Sequence, residues 1–250
     1  MQRKKLLKIC NELITAYKKG LLGQTVMPED FNPGLEKMDP QMRISYFSLP
    51  MALNYQRDSY KLWEAALKTF NDKDTRFVFD VSKVANTSTE KIRAALLKHK
   101  LALQPNKHIN SWITISIAVN GNWGTFGKLF ESVKGDFLLL KKKVTMDYKK
   151  EFPYLSGPKI FNYWSFIVNT YGGVKMTNKE YMEIAPDTHI TQCSIKLGVI
   201  TKEEAKSLPR ESISVKWRQL LSGSGINPMD MHPPLWFWSK NGFIYEVTYK

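Results

Sequence analysis

Helical periodicity, repeated along nearly the whole chain, is the feature of this sequence that most restricts its fold. Apolar residues recur at spacings of three and four in one segment after another, and short polar or Pro- and Gly-containing stretches separate these segments. About ten such segments joined by short connections predict an all-α, multi-helix fold. The first of them, residues 1–20, has its apolar residues on one side: Leu6, Ile9, Leu13, Ile14 and Tyr17.

Capping residues mark where several of these helices begin. Asp39-Pro40 predicts one helix start, with Asp as the cap and Pro at the first position. Pro50 predicts the start of the next helix, and Asp58 or Ser59 is expected to cap a further one. Phe77–Val81 also fits a strand by propensity, but its helical neighbours and the lack of a partner strand favour a short helix.

The charge of the chain points to an anionic partner. The formal net charge is +14 over 250 residues, and nucleic acid is a commoner partner of such proteins than a membrane. The alternative is that the excess lysines serve only solubility. No run of 18 apolar residues predicts a membrane span, and the N-terminus has no apolar core of signal-peptide length. We therefore expect a cytoplasmic protein without a membrane partner.

Cysteine and histidine usage predicts no metal and no cofactor. The two cysteines, Cys10 and Cys193, lie in apolar helical patterns typical of buried thiols. An iron–sulfur cluster needs about four cysteines. The four histidines do not have metal-ligand spacing, and the sequence contains no phosphate-binding glycine loop of the usual kinds.

Chemically suggestive residues stand at two helix starts in the region 152–198. The turn Leu155-Ser156-Gly157-Pro158 leads into Lys159 and a helical pattern, and its glycine permits a tight turn. Free N–H groups at a helix start bind phosphate, and a lysine-rich stretch precedes the turn. An ordinary helical corner with solvated lysines is the alternative. Farther along, Asp187 follows Pro186 and opens a second helical pattern.

These motifs together resemble the helix-hairpin-helix DNA glycosylases of the endonuclease III superfamily. That superfamily carries a Leu-Pro-Gly-Val-Gly hairpin and a Val-Asp-Thr-His box, whose counterparts here are Leu155–Lys159 and Pro186–His189. Ala52–Trp63 is similar to the superfamily segment in which a Gln-containing turn enters the DNA. Three later segments are most similar to the archaeal 8-oxoguanine glycosylases: Leu197–Ile200, Gly225–Pro228 and Leu235-Trp236.

The resemblance, which covers roughly Asp39 to Trp238, implies a fold and a biological role. It implies one glycosylase unit over residues 1–250 with two subdomains, 50–150 and 1–49 together with 151–250, and a DNA cleft between them. It also implies a monomer, associated with the nucleoid, that binds double-stranded DNA containing a damaged base. The implied reaction is excision of an oxidised purine, with 8-oxoguanine as the expected base, during base excision repair.

The resemblance implies the site residues as well. Lys159 would attack the sugar and permit strand cleavage through a Schiff base, and Asp187 would stabilise the cationic sugar. The implied DNA-binding residues are Gln56, Arg57, Ser156, Gly157 and His189, and the implied base pocket is Trp63, Phe161, His232 and Trp236.

The chain departs from the superfamily pattern at three positions. Lys159 replaces the second hairpin glycine, Phe161 occupies the usual catalytic-lysine position, and His232 replaces an acidic residue. Two alternatives therefore stay open. One is a monofunctional glycosylase for alkylated or deaminated bases, in which Asp187 activates water and Lys159 only holds DNA. The other is a noncatalytic helix-hairpin-helix DNA-binding module.

Overall fold

The computed structural model describes residues 3–34 and 39–248, and the fold is all-α. No β-strand occurs in these two ranges, where the only β-type pairing is an isolated bridge between Asp136 and Thr177. The α-helices in chain order are α1 (Arg3–Lys18), α2 (Pro40–Ala52), α3 (Ser59–Asn71), α4 (Val81–Ala85), α5 (Thr89–Lys98), α6 (Lys107–Asn122), α7 (Phe126–Ser132), α8 (Phe137–Lys142), α9 (Pro158–Thr170), α10 (Thr188–Lys196), α11 (Lys202–Ser207), α12 (Arg210–Leu221) and α13 (His232–Lys240).

The chain divides into two compact units. The central unit is Met27–Thr177, and the terminal unit joins Met1–Val26 to Asn178–Lys250. The division falls near residues 27 and 177 rather than at the expected limits of 49 and 150. The reason is that α2 and α9 pack against each other and α2 also contacts α3, α6 and α7, so residues 40–52 and 158–170 join the core of the central unit.

An aromatic cluster fills the middle of the central unit. Tyr46 and Phe47 of α2 lie 5.2 Å apart between ring centroids, and Trp63 of α3 lies 5.6 Å from Phe47. Phe70 and Phe79 each lie 5.3 Å from Tyr46. Buried aromatic rings contribute large apolar areas and favourable edge-to-face contacts, so this cluster fixes how α2 and α3 pack.

The terminal unit is held together by its first and last segments. Helix α1 packs against α12 and α13, and α10 packs against α13. Glu12 on α1 accepts hydrogen bonds from the Tyr245 hydroxyl (3.2 Å) and the Thr248 hydroxyl (2.8 Å). Cys10 and Cys193 are fully buried, as predicted. In the part of the chain that the structure describes, no helix is both long and apolar enough to cross a membrane.

The structure confirms most of the predicted helix starts. Asp39 accepts a hydrogen bond from Gln41 N (3.1 Å), and Asp58 accepts one from Lys61 N (2.9 Å). The segment that also fitted a strand is helical, with a 3₁₀ turn over Arg76–Phe79 and, after the extended residue Asp80, the start of α4 at Val81.

The predicted helix start at Pro50 is wrong. Pro50 lies inside the last turn of α2, which continues to Ala52. Proline has no N–H, so α2 lacks one backbone hydrogen bond at this position, and only two helical residues follow Pro50. Pro50 is buried, and the packing of the apolar end of α2 outweighs that loss.

Candidate active site

The hairpin turn before α9 is built by Tyr154 rather than by its glycine. Tyr154 has a φ of +62°, the left-handed conformation, whereas Gly157 has a φ of −66° and an extended backbone. Gly157 therefore takes part in the tight turn without adopting a left-handed conformation. Gly157 matters for space instead, because a Cβ at this position would lie 3.1 Å from the Tyr154 carbonyl oxygen.

Hydrogen bonds and two buried residues hold the hairpin in place. Ser156 N donates to Phe152 O (2.9 Å) and Gly157 N donates to Tyr154 O (3.0 Å). The Ser156 hydroxyl donates to Lys149 O at 3.3 Å. Phe152 and Leu155 are fully buried and anchor the turn to the central unit. The turn therefore presents the start of α9 in a defined orientation.

Lys159 is the second residue of α9 and is exposed. Gly157 is the N-cap, Pro158 is the first helical residue, and no side chain caps this helix. The N-terminus of a helix carries a partial positive charge that favours an anion, and no side-chain carboxylate or hydroxyl occupies this position in α9. Exposed lysines at positions 142, 149 and 150 precede the hairpin and add positive charge to the same segment.

A buried carboxyl group that the sequence reasoning missed, that of Glu29 in the 3₁₀ segment Pro28–Asp30, contacts α9 one turn after Lys159. Residues four apart share a helix face, so Tyr163 lies one turn after Lys159. The Tyr163 hydroxyl donates to Glu29 Oε1 at 2.9 Å, and Glu29 is fully buried. Burial raises the pKa of Glu29 to about 7, although hydrogen bonds to the carboxyl group oppose this shift.

Glu29, Tyr163 and Trp63 form what we call the Glu29 cluster, and two buried polar atoms in it have no hydrogen-bond partner. They are Oε2 of Glu29 and Nε1 of Trp63. Trp63 lies close enough to favour the ionised carboxylate but does not make a hydrogen bond of ordinary geometry. Orphaned buried polar groups are rare in folded proteins and call for a ligand, water or functional explanation. No sequence signal marks Glu29, because its partners come from segments far away along the chain.

In the terminal unit, the Asp187 carboxylate is held by two donors. Its Oδ1 accepts from Ile190 N (2.9 Å) and caps α10, as predicted. Its Oδ2 accepts from the indole Nε1 of Trp236 on α13 at 3.0 Å. Because both oxygens are engaged, the carboxylate has a fixed orientation while the residue stays partly exposed.

Groups around Trp236 complete this part of the terminal unit. The ring centroids of His189 and Trp236 lie 5.4 Å apart in an edge-to-face arrangement, and Nδ1 of His189 lies 3.1 Å from the Ser239 hydroxyl. The Lys240 ammonium lies 4.5 Å from the centroid of the Trp236 ring. The structure thus brings three predicted residues together: Asp187, His189 and Trp236.

The predicted DNA-entering turn after α2 has an exposed tip and an anchored neighbour. Gln56 is exposed and left-handed, with a φ of +49°. Arg57 is half-buried, and its guanidinium donates to the carbonyls of Leu101 (2.5 Å) and Lys100 (3.2 Å). Burial lowers the pKa of Arg57 to about 10. Arg57 therefore ties this turn to the loop after α5, and Gln56 is the side chain that it presents outward.

Three of the four residues predicted for the base pocket are buried. Trp63 and Phe161 are fully enclosed, and Phe161 packs against Phe137 at 5.6 Å between ring centroids. His232 is nearly buried, with 6% of its surface exposed, and is the first residue of α13. Trp236 is partly exposed. Trp63 belongs to the Glu29 cluster, whereas Phe161 contributes to the hydrophobic core of the central unit.

Residues 3–34 and 39–248 contain no group of three or more His, Cys, Asp or Glu side chains that could hold a metal ion. Comparison of the chain with protein-family models and with curated protein sequences found no match.

Proposed function

We propose that this protein is a DNA glycosylase with lyase activity that excises an oxidised purine, 8-oxoguanine above all, from double-stranded DNA. Lys159 is the nucleophile and Asp187 the electrostatic partner. The observation that carries the proposal is the Asp187 carboxylate, which is held on one oxygen by its own helix and on the other by Trp236. A preorganised carboxylate of this kind stabilises positive charge without reorganising during the reaction.

The start of α9 supports the second half of the proposal. An uncapped helix N-terminus after a rigid hairpin suits a DNA phosphate, and exposed Lys159 follows it directly. One turn farther, Tyr163 meets buried Glu29, whose second oxygen has no partner. The hydrogen bond from Tyr163 to Glu29 fixes α9 to the segment Pro28–Asp30 of the same unit and so helps to hold the start of the helix in place.

The proposed reaction balances without a cofactor. The lone pair of the Lys159 amine forms a bond to the sugar C1′, and the glycosidic bond breaks with its electron pair passing to the base, which takes up a proton. Opening of the sugar ring gives a Schiff base between Lys159 and C1′. Loss of a C2′ proton to water then expels the 3′ phosphate with its bonding electron pair, which cleaves the strand, and hydrolysis of the imine restores the lysine. The Asp187 carboxylate stabilises the positive charge that develops on the sugar as the base leaves.

Base release by two Asp187 variants tests this proposal. Asn is as good an N-cap as Asp, so Asp187→Asn keeps the cap of α10 but removes the charge, whereas Asp187→Ala removes both. We expect both variants to release 8-oxoguanine from a duplex at least about 100-fold more slowly than wild type. The matched control is Asp39→Asn, which changes the capping aspartate of α2 and should release the base at the wild-type rate.

Two results would overturn the proposal. If Asp187→Asn releases the base as fast as wild type, the carboxylate is only a helix cap. If wild type releases nothing from duplexes carrying oxidised, alkylated or deaminated bases, the protein is not a glycosylase.

A further inference from the structure

A groove on the surface of the central unit, apart from the residues assigned above, is rich in lysine. It has a volume of about 560 Å³. Its walls come from the segment after α3, from α4 and the loop that follows it, and from the first turn of α5. The lining residues are Lys73, Asp74, Phe77, Lys83, Asn86, Thr87 and Lys91.

The lysines of this groove are weakly neutralised. Among the described residues, Lys73 and Lys91 have no carboxylate within ion-pair distance, and Lys83 reaches Asp80 only at 3.7 Å. The one acidic residue of the lining, Asp74, lies 3.6 Å from Lys98, which is outside the groove. The groove therefore carries an excess of positive charge that the protein itself does not balance.

Phe77 gives the groove an apolar wall. Its side chain is half-buried, and the Lys91 ammonium lies 5.5 Å from the centroid of its ring. The side chains of Asn86 and Thr87 donate to the carbonyls of Ser82 and Lys83, and these local hydrogen bonds fix the polar part of the lining. Lysine side chains are among the groups that contact DNA phosphates, and such contacts do not depend on base sequence.

We infer that this groove, which we call the lysine groove, binds the sugar–phosphate backbone of DNA as a second contact surface. Lysine ammonium groups on flexible stems suit phosphate contacts that do not depend on base sequence. An acidic peptide would instead favour the planar, bidentate fork of arginine, and the lining contains no arginine. The choice of DNA as the polyanion rests on the proposed function.

The salt dependence of binding to an undamaged duplex, several helical turns long, tests this inference. The triple variant Lys73→Gln, Lys83→Gln and Lys91→Gln removes the three charges at exposed positions. The slope of log K against log salt concentration is negative, and each lost phosphate contact reduces its magnitude by about 0.9. We therefore expect the magnitude of the slope to fall by about 2 to 3. The control removes the same charge from exposed lysines of the terminal unit: Lys19→Gln, Lys202→Gln and Lys206→Gln.

The outcomes separate this inference from the proposed function. If the magnitude of the slope is smaller than that of wild type in the groove variant but not in the control, the lysine groove is supported, even if wild type releases no damaged base. Equal slopes in the two variants, with base release intact, overturn the groove and leave the glycosylase. If the groove variant loses binding to phosphatidylserine vesicles while its DNA slope is unchanged, the groove is a membrane contact and the inference is overturned.

Discussion

Replacing the buried Glu29 with Gln should stabilise the protein and change how its stability depends on pH. Glutamine has the same shape and keeps an oxygen for the Tyr163 hydroxyl, but it cannot ionise. Glu29 is fully buried and its pKa is raised to about 7, mainly by burial. The substitution therefore removes the cost of a buried carboxylate without removing the hydrogen bond.

The size and the sign of the effect follow from the pKa. An unfolded chain releases the Glu29 proton near pH 4.5, whereas the folded protein holds it until about pH 7. Between these values the folded state binds more protons, so the Glu29 contribution to stability is lost as the pH rises. The difference between the two pKa values corresponds to about 3 kcal/mol of unfolding free energy at pH 8. Below pH 4.5 the two proteins should be equally stable.

Urea unfolding of wild type and Glu29→Gln at several pH values between 4 and 8 measures this difference. We expect the two curves of unfolding free energy against pH to meet near the acid end and to diverge toward pH 8, with the variant more stable. The control is Glu131→Gln, which replaces an exposed glutamate and should follow wild type throughout. Parallel curves for wild type and Glu29→Gln, or a variant less stable than wild type at pH 8, would refute the reasoning.

Three further results are expected. Trp236→Phe removes the indole donor to Asp187 and should slow base release by about tenfold, because a hydrogen bond to a charged group contributes about 1.5 kcal/mol or more. An unchanged rate in a base-release assay would show that Trp236 does not position the carboxylate. Arg57→Ala leaves the carbonyls of Lys100 and Leu101 without their donor and should lower the free energy of unfolding, measured in urea, by about 1 to 3 kcal/mol. If the variant is as stable as wild type, these two hydrogen bonds contribute nothing to stability. Cys10 and Cys193 are buried, and burial raises the pKa of both thiols. Neither thiol should therefore react with an aromatic disulfide reagent before the protein unfolds, and rapid labelling of the native protein would contradict their burial.

Local sequence rules predicted the helices well where a cap or a breaker acts on its own neighbours. Asp58 and Asp187 cap the helices that they were expected to cap, because an N-cap needs only a side chain and an N–H two or three residues later. Pro50 shows the limit of such rules, since its place inside α2 depends on buried packing rather than on local preference.

The hairpin and the Glu29 cluster depend on contacts that the sequence does not display. Tyr154 adopts a left-handed conformation, and the centroid of its ring lies 5.2 Å from that of Tyr55, almost 100 residues earlier. Glu29 is a site candidate only because Tyr163 and Trp63 surround it in the folded chain. The sequence contains each of these residues, but nothing in its spacing indicates that they meet.

In the proposed reaction, Lys159 becomes covalently attached to the sugar of a damaged nucleotide. Borohydride trapping on a labelled duplex with a single 8-oxoguanine measures this attachment directly, with wild type and Lys159→Ala compared. The matched control is Lys150→Ala, which replaces an exposed lysine shortly before the hairpin. We expect an adduct with wild type and with Lys150→Ala, and none with Lys159→Ala. An adduct that persists in Lys159→Ala, or base release by wild type without any adduct, would contradict the proposed reaction.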